Sequence, residues 1–133
     1  MATIHKEIRV EVGLPEACAA VREVGAVHRR LFPGLVTDCR LENGERTVTF
    51  ANGLVLRELI VAMDDERHRI AYASVGGRVA HHNASIQVFE DGPGRVRLEW
   101  ITDFLPDALA DTIGGLMEQG SAVMKRTLES GTA

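Results

Sequence analysis

Five side chains in the middle of the sequence combine polar chemistry with positions where that chemistry could be sheltered from water. The first is His82, which lies in the run Ala80 to Val88, where every second residue is otherwise small or apolar. Alternate side chains of a strand point to opposite faces, so we expect His82 to point inward and His81 outward. A neutral imidazole is the commonest acid–base group near pH 7. His82 is therefore the candidate catalytic residue, although a hydrogen-bonded core histidine gives the same pattern.

Arg46 and Glu58 form a second candidate group if the strands that carry them pair in the right register. With a three-residue loop at 51–53, Arg46 lies directly opposite Glu58 and both face inward. With a two-residue Asn52–Gly53 turn, the register shifts by one and Arg57 takes the inner face instead. Both faces of the second strand are largely apolar, so these residues alone leave the register open. An inward pair could orient a substrate or simply fix the sheet.

Aromatic and flexible apolar side chains supply further candidate ligand contacts. Tyr72 and Trp100 each combine an apolar body with a polar tip, which suits a ring-shaped ligand, although both residue types are common in plain cores. Methionine side chains adapt readily to the shape of a neighbour. The candidate ligand-binding residues are Arg46, Glu58, Tyr72, Trp100, Phe104, Met117, Gly120 and Met124.

The sequence predicts neither a metal nor a cofactor. His81 and His82 are adjacent on a strand and cannot chelate a metal from one side, and no cysteine or carboxylate lies at a ligand spacing beside them. No G-x-S-x-G motif is present, and no glycine-rich segment has the strand–loop–helix context of a phosphate-binding loop. A hydrolase is therefore disfavoured.

A long C-terminal helix is the element that must cover these side chains. Between Pro106 and Ser130, apolar residues recur at spacings of three and four. Pro106 suits the first helical turn, and the acidic start and basic end agree with the helix dipole. Gly114, Gly115 and Gly120 each cost about 1 kcal/mol relative to Ala in a helix interior. These glycines indicate close backbone approach, a bend or open space.

Seven predicted strands and two short predicted helices precede that helix. Alternation predicts a strand at 4–12, and short helices follow at 17–24 and 26–31. Six further strands, separated by turn residues and joined by short loops, should pair antiparallel. They cover residues 35–42, 45–51, 54–63, 69–75, 79–89 and 95–104. The order predicts one α+β domain over 1–133, in which a curved antiparallel sheet grips the long helix and leaves a chamber.

This order, with several short motifs, resembles the SRPBCC superfamily, which includes START domains, birch-pollen-allergen-like proteins and the polyketide cyclase/dehydrase group. The resemblance covers nearly the whole chain. It implies the helix-grip fold, and it directs Glu58 toward the cavity, which favours the three-residue loop. His82 departs from the family pattern, in which an aromatic residue such as Tyr is frequent. The motifs are Arg46…Gly53…Leu56-Arg57-Glu58, then Tyr72, then Ala84-x-Ile86-x-Val88, then Glu99-Trp100 with Phe104.

The family mixes enzymes, carriers and sensors, so the fold leaves three functions open. The first is a binding protein for a small hydrophobic, ring-containing or lipid-like molecule. The second is a cofactor-independent cyclase/dehydratase-like enzyme in which His82 moves protons and Arg46, Glu58 or Tyr72 orients the substrate. The third is a homodimeric interaction module without a ligand. We rank binding above catalysis, because the sequence offers a lone general base without a paired acid.

Charge and hydropathy exclude several partners. The chain has 15 Lys and Arg against 19 Asp and Glu, a net charge of −4, which gives no general attraction to nucleic acid or anionic lipid. No apolar run approaches the ~18 residues of a membrane span, and no signal-like apolar segment begins the sequence. We expect a cytoplasmic protein without nucleic-acid binding or membrane insertion, with a homodimer possible.

Overall fold

A computed structural model describes residues 2–131, which form one antiparallel sheet and three helices. The sheet has seven strands in the order β1-β7-β6-β5-β4-β3-β2. The strands are β1 (Ala2–Val10), β2 (Val36–Glu42), β3 (Glu45–Phe50), β4 (Val55–Asp64), β5 (Arg69–Val75), β6 (His81–Glu90) and β7 (Val96–Leu105). The helices are α1 (Leu14–Arg22), α2 (Val27–Arg30) and α3 (Ala110–Glu129), with a 3₁₀ turn at Asp107–Leu109. Each predicted element is present, with its ends shifted by a few residues.

Strand alternation decides which side chains enter the core. On β7 the buried residues are Val96, Leu98, Trp100, Thr102 and Phe104, the set that parity assigns to one face. The prediction was wrong at the start of β6. That strand begins at His81, so Ala80 lies in the preceding loop and is exposed instead of facing the helix.

The long helix α3 lies along β1 and buries one stripe against the sheet. Lys125 Nζ donates a hydrogen bond to the Arg9 carbonyl at 2.5 Å, and Lys6 pairs with Glu118 nearer the middle of the helix. The stripe agrees with the predicted spacing. Its buried residues are Met117, Gly120, Val123, Met124, Thr127 and Leu128. Pro106 precedes the 3₁₀ turn and so lies outside the first turn of α3.

A three-residue loop at 51–53 sets the register between β3 and β4. Gly53 has φ +91°, a left-handed conformation that favours glycine, and its N–H donates to the Phe50 carbonyl at 2.9 Å. Phe50 N–H in turn donates to the Leu54 carbonyl at 2.8 Å. Arg46 is therefore opposite Glu58, which confirms the first of the two registers left open by the sequence.

Candidate functional site

A cavity of about 270 Å³ lies between the inner face of the sheet and the first half of α3. Strands β3 to β7 contribute one wall, the helix contributes the opposite wall from Leu109 to Met117, and the segments at 32–36 and 76–79 contribute the rim. Most of the wall is apolar. The second half of α3, from Gly120 onward, contributes nothing to the cavity and packs into a closed core.

A polar row of four residues, Arg46, Glu58, Ser74 and His82, crosses four neighbouring strands on the cavity wall. Strand register places Arg46 opposite Glu58 and Glu58 opposite Ser74. The row continues from Ser74 to His82 through a hydrogen bond from the Ser74 backbone N–H to the His82 ring, with a donor–acceptor distance of 3.0 Å. These four polar residues thus form one line across a mostly apolar wall.

The Arg46–Glu58 ion pair is the buried centre of this polar row. Arg46 Nε donates to Glu58 Oε1 at 2.7 Å, and the two residues are only 5% and 8% exposed. Arg46 Nη1 also donates to the Val24 carbonyl at 3.1 Å, and the guanidinium lies over the Tyr72 ring, 4.7 Å from its centroid. Arg46 therefore has protein partners on several sides, as a buried charge requires.

Tyr72 and Trp100 are joined beside the polar row. Trp100 Nε1 donates to Tyr72 Oη at 3.0 Å, and both residues are buried on the cavity wall. Burial, together with the nearby Glu58 carboxylate, raises the pKa of the Tyr72 phenol far above its ordinary value of 10.0. The phenol is therefore neutral at physiological pH, and because its oxygen accepts from Trp100, its own proton remains available for a further acceptor.

His82 is held in one tautomer by its contact with β5. The Ser74 N–H donates to Nδ1, so Nδ1 carries no proton and the neutral ring carries its proton on Nε2. Burial lowers the pKa of His82 below 6.5, Glu58 opposes that shift, and His81 adds to it. His82 is thus a neutral imidazole near pH 7. The inward placement predicted from parity is confirmed, because His82 lines the cavity and His81 is exposed.

The candidate ligand-binding residues divide into two groups. Arg46, Glu58, Tyr72, Trp100 and Met117 line the cavity, as does the candidate catalytic residue His82, and their roles toward a ligand stay predictions. Phe104, Gly120 and Met124 do not line it.

Phe104, Gly120 and Met124 are corrections, with a common physical cause. Phe104 and Met124 are fully buried in packed core. The space expected beside Gly120 is filled by the indole of Trp100, since a Cβ atom at Gly120 would lie 3.0 Å from Trp100 Cη2. Gly120 therefore allows close approach of the indole instead of opening a chamber.

Three comparisons place the chain among known proteins. No protein-family model matches it, and no curated protein sequence matches it. Solved structures do match: protein XoxI of Bacillus cereus has a TM-score of 0.86 at 14% identity, with 96% of both chains covered. Norcoclaurine synthase of Thalictrum flavum, in complex with dopamine and hydroxybenzaldehyde, has a TM-score of 0.76 at 16% identity, covering 99% of this chain and 88% of that one. The di-domain ARO/CYC BexL of the BE-7585A biosynthetic pathway has a TM-score of 0.83 at 15% identity, covering 97% and 47%.

This chain shares with these solved structures the helix-grip fold, a seven-stranded antiparallel sheet around a long C-terminal helix. At such low identities the likeness concerns the fold alone. The helix-grip fold explains why polar residues far apart in sequence meet in one row, because consecutive antiparallel strands bring Arg46, Glu58 and His82 side by side.

Ser74 and Thr102 are among the cavity residues of this helix-grip domain that the sequence did not predict. Ser74 completes the polar row through its backbone N–H, and only the strand register could have indicated it. Thr102 is buried on β7 between Trp100 and Phe104 and lines the cavity. Its signal was present, since it is the one hydroxyl residue on the inner face of that strand.

The described residues, 2–131, also bear on the predictions about membrane spans and metal ions. Within that range no helix combines the length and apolarity that a membrane crossing requires. No three His, Cys, Asp or Glu side chains of the described residues cluster in an arrangement for a metal ion. Four apolar residues of β4, Val55, Leu59, Val61 and Met63, are exposed. The predicted cytoplasmic location and homodimer stay predictions.

Proposed function

We propose that this protein binds a small hydrophobic molecule, ring-containing or lipid-like, in the cavity beneath the first half of α3. The observation that carries the proposal is the cavity wall, which is mostly apolar. Its polar members besides the polar row are Tyr72, Thr102, Thr112 and the exposed Arg78. Small-molecule sites usually have this composition, in which apolar walls supply affinity and a few polar groups set orientation. Norcoclaurine synthase, which shares the fold, is known in complex with dopamine and hydroxybenzaldehyde, and this supports a ring-containing ligand.

The charges on the wall favour a neutral ligand. Arg46 and Glu58 neutralise each other at 2.7 Å, and Arg78, the further charged residue of the wall, is exposed, so the buried part of the cavity offers no net charge to a bound ion. The Tyr72 hydroxyl accepts from Trp100 and can donate its own proton. A ligand with a carbonyl or ether oxygen near one end would accept that proton while its apolar body fills the rest of the cavity.

A matched pair of substitutions on β4 tests the proposal. Leu56 lines the cavity, whereas Leu59 lies on the outer face of the same strand. Leu56→Trp should fill the cavity and weaken binding of a neutral fluorescent probe, N-phenyl-1-naphthylamine, by about tenfold or more, a loss of about 1.4 kcal/mol. Leu59→Trp adds the same bulk outside and should leave affinity within about twofold. Equal affinities in both variants would overturn the proposal.

The natural ligand can be sought by native mass spectrometry of the protein purified from its source cells. A co-purifying small molecule should be present in the wild type and depleted in Leu56→Trp. A co-purifying molecule retained equally by both would bind elsewhere and would contradict the cavity as the site.

Cyclase/dehydratase-like catalysis without a cofactor is the second candidate, and one observation favours it. A histidine, a tyrosine, a carboxylate and an arginine converge on a single cavity, which is typical of acid–base sites. The Ser74–His82 hydrogen bond ranks it second, because a lone pair on Nδ1 that already accepts an N–H cannot take a proton from a substrate. His82→Gln separates the candidates: an enzyme should lose turnover by about 10²–10⁴, whereas a carrier shows no turnover in either form.

A further inference from the structure

The sheet splits between β5 and β6 at the end nearest the cavity. These strands pair from Arg69–Gln87 to Tyr72–Ala84, and the same register would next pair Ala73 with Asn83 and Ser74 with His82. Those pairs do not form, although β5 continues to Val75 and β6 already begins at His81.

Each strand keeps its other neighbour beyond the split. Ser74 still pairs with Glu58 on β4, and His82 still pairs with Phe104 on β7. The strands therefore remain regular while they diverge from each other. A slot in the sheet results, and it is bounded by β5 on one side and β6 on the other.

The side chain of His82 occupies this slot. In a continued ladder the Ser74 N–H would donate to a main-chain carbonyl of β6. Here it donates to His82 Nδ1 at 3.0 Å, so a side chain replaces the missing backbone acceptor. The Tyr72 and His82 rings lie 6.1 Å apart by their centroids, at the point where the strands part.

Two hollows meet at the slot. The cavity lies inside the sheet, and an open depression lies outside it, lined by residues that include His81, Asn83 and Asp103. Four residues belong to both walls: Ser74, Gly76, Val79 and His82. These shared residues form part of the partition between the two hollows. The loop between the strands contains Gly76 and Gly77, both with positive φ, at 77° and 67°.

We propose that the slot between β5 and β6 is a side entrance to the cavity and that the Ser74–His82 hydrogen bond holds it closed. The proposal rests on the proposed function, since an entrance has a role only if the cavity takes a ligand. Opening requires one hydrogen bond to break and the ring of His82 to turn out of the slot. No strand needs to lose its pairing with β4 or β7.

Protonation supplies a way to open the entrance, because an imidazolium has a proton on both nitrogens and cannot accept from Ser74. The groups that face this region come from every neighbouring element. They are Arg46 on β3, Glu58 on β4, Tyr72 on β5, His81 on β6, Asp103 on β7 and Arg78 in the loop. Glu58 favours the charged ring, while burial and His81 disfavour it.

Stopped-flow fluorescence with N-phenyl-1-naphthylamine tests the entrance, since this probe has no charge to change with pH. His82→Ala removes the side chain from the slot and should raise the association rate constant by about tenfold, whereas loss of a ligand contact alone would raise only the dissociation rate constant. His81→Ala, on the next residue of the same strand but outside, should leave both rates at wild-type values. An unchanged association rate constant in His82→Ala would overturn the entrance while the equilibrium Kd still supported a ligand cavity.

The wild type and His82→Gln give a second measurement that does not depend on removing the ring. Wild-type exchange rates should rise as pH falls below about 6.5. Glutamine retains an acceptor oxygen for Ser74 and does not titrate, so the pH dependence should disappear. Persistence of the same pH dependence in His82→Gln would contradict His82 as the closing group. Absence of equilibrium probe binding in the wild type would overturn the proposed function and, with it, the entrance.

Discussion

Two ion pairs join β3 and β4, one on each face of the sheet. On the inner face, Arg46 and Glu58 lie 2.7 Å apart and are almost completely buried. On the outer face, Arg57 and Glu45 lie 2.5 Å apart, with side chains that are 61% and 29% exposed. The same residue types, on the same two strands, thus form pairs of similar length in water and away from it.

The distance between the charged atoms therefore does not show how much each ion pair contributes to the stability of the fold. Water screens the outer pair, and either partner alone would be solvated if the other were removed. The inner pair has replaced water by protein, so a single partner left behind is an uncompensated buried charge. Two further pairs of like residues show the same contrast between an inner and an exposed position. They are Gly120 and Gly115 on α3, and His82 and His81 on β6, and the exposed member of each pair serves as a control.

The largest difference should appear between Glu58→Gln and Glu45→Gln. Glu58→Gln leaves the Arg46 guanidinium buried without its carboxylate and should lower the free energy of unfolding by about 3–5 kcal/mol. Glu45→Gln leaves Arg57 in solvent and should have a much smaller effect. Urea unfolding followed by circular dichroism measures both.

Double-mutant cycles sharpen this first prediction. The cycle on Arg46 and Glu58 should show a large coupling energy, whereas the cycle on Arg57 and Glu45 should show little. Equal coupling on the two faces would contradict the assignment of the inner pair as a buried, mutually dependent unit.

The second prediction compares alanine at two glycines of α3. In Gly120→Ala the new Cβ would meet Trp100 at 3.0 Å and Phe32 at 3.4 Å. Such overpacking costs about 1–3 kcal/mol and outweighs the helix propensity of about 1 kcal/mol that alanine adds. Gly115→Ala has no atom within 4 Å and should stabilise the protein by up to about 1 kcal/mol. Thermal unfolding midpoints should therefore move in opposite directions, and a shared increase would rule out tight packing at Gly120.

The smallest expected effect is the pH dependence of stability that comes from His82. Burial depresses the pKa of His82 in the folded protein below its ordinary value of 6.5, so the unfolded chain binds a proton first as pH falls. Above about pH 6.5, His82 therefore does not lower the free energy of unfolding. Below that value stability declines, with a slope of at most about 1.4 kcal/mol per pH unit, until the folded protein also binds the proton.

Urea unfolding of the wild type and of His82→Gln at several pH values measures the contribution of His82 to the pH dependence of stability. His82→Gln should lose less stability than the wild type between about pH 7 and pH 5. Identical pH profiles for the wild type and His82→Gln would show that the ring is not buried in its neutral form.

Most of the fold could be predicted because local patterns specify it. Alternation identified the inner face of β7, and the apolar stripe identified α3. The register of Arg46 and Glu58 was harder, because both faces of β4 carry apolar residues. The hydrogen bond from the Phe50 N–H to the Leu54 carbonyl decides it, and the sequence did not show whether Phe50 or Ala51 would pair with Leu54.

The cavity was only partly predictable, because its limits depend on how distant side chains pack. The helix glycines suggested open space, but the indole of Trp100 fills the site beside Gly120 and closes the cavity there. Parity predicted the inward direction of His82 correctly. It could not predict the parting of β5 from β6, since residue alternation describes the faces of a strand and carries no information about where two strands cease to pair.

The hydrogen bond between Trp100 and Tyr72 has an optical consequence. The chain contains one tryptophan and one tyrosine, and both stand on the cavity wall, joined at 3.0 Å. All intrinsic emission from the indole therefore originates at a single place, next to the space that a ligand would occupy. The wavelength and quenching of that emission therefore depend on the surroundings of Trp100 on the cavity wall. Binding of a ligand in the cavity can be followed by the fluorescence of the unlabelled protein.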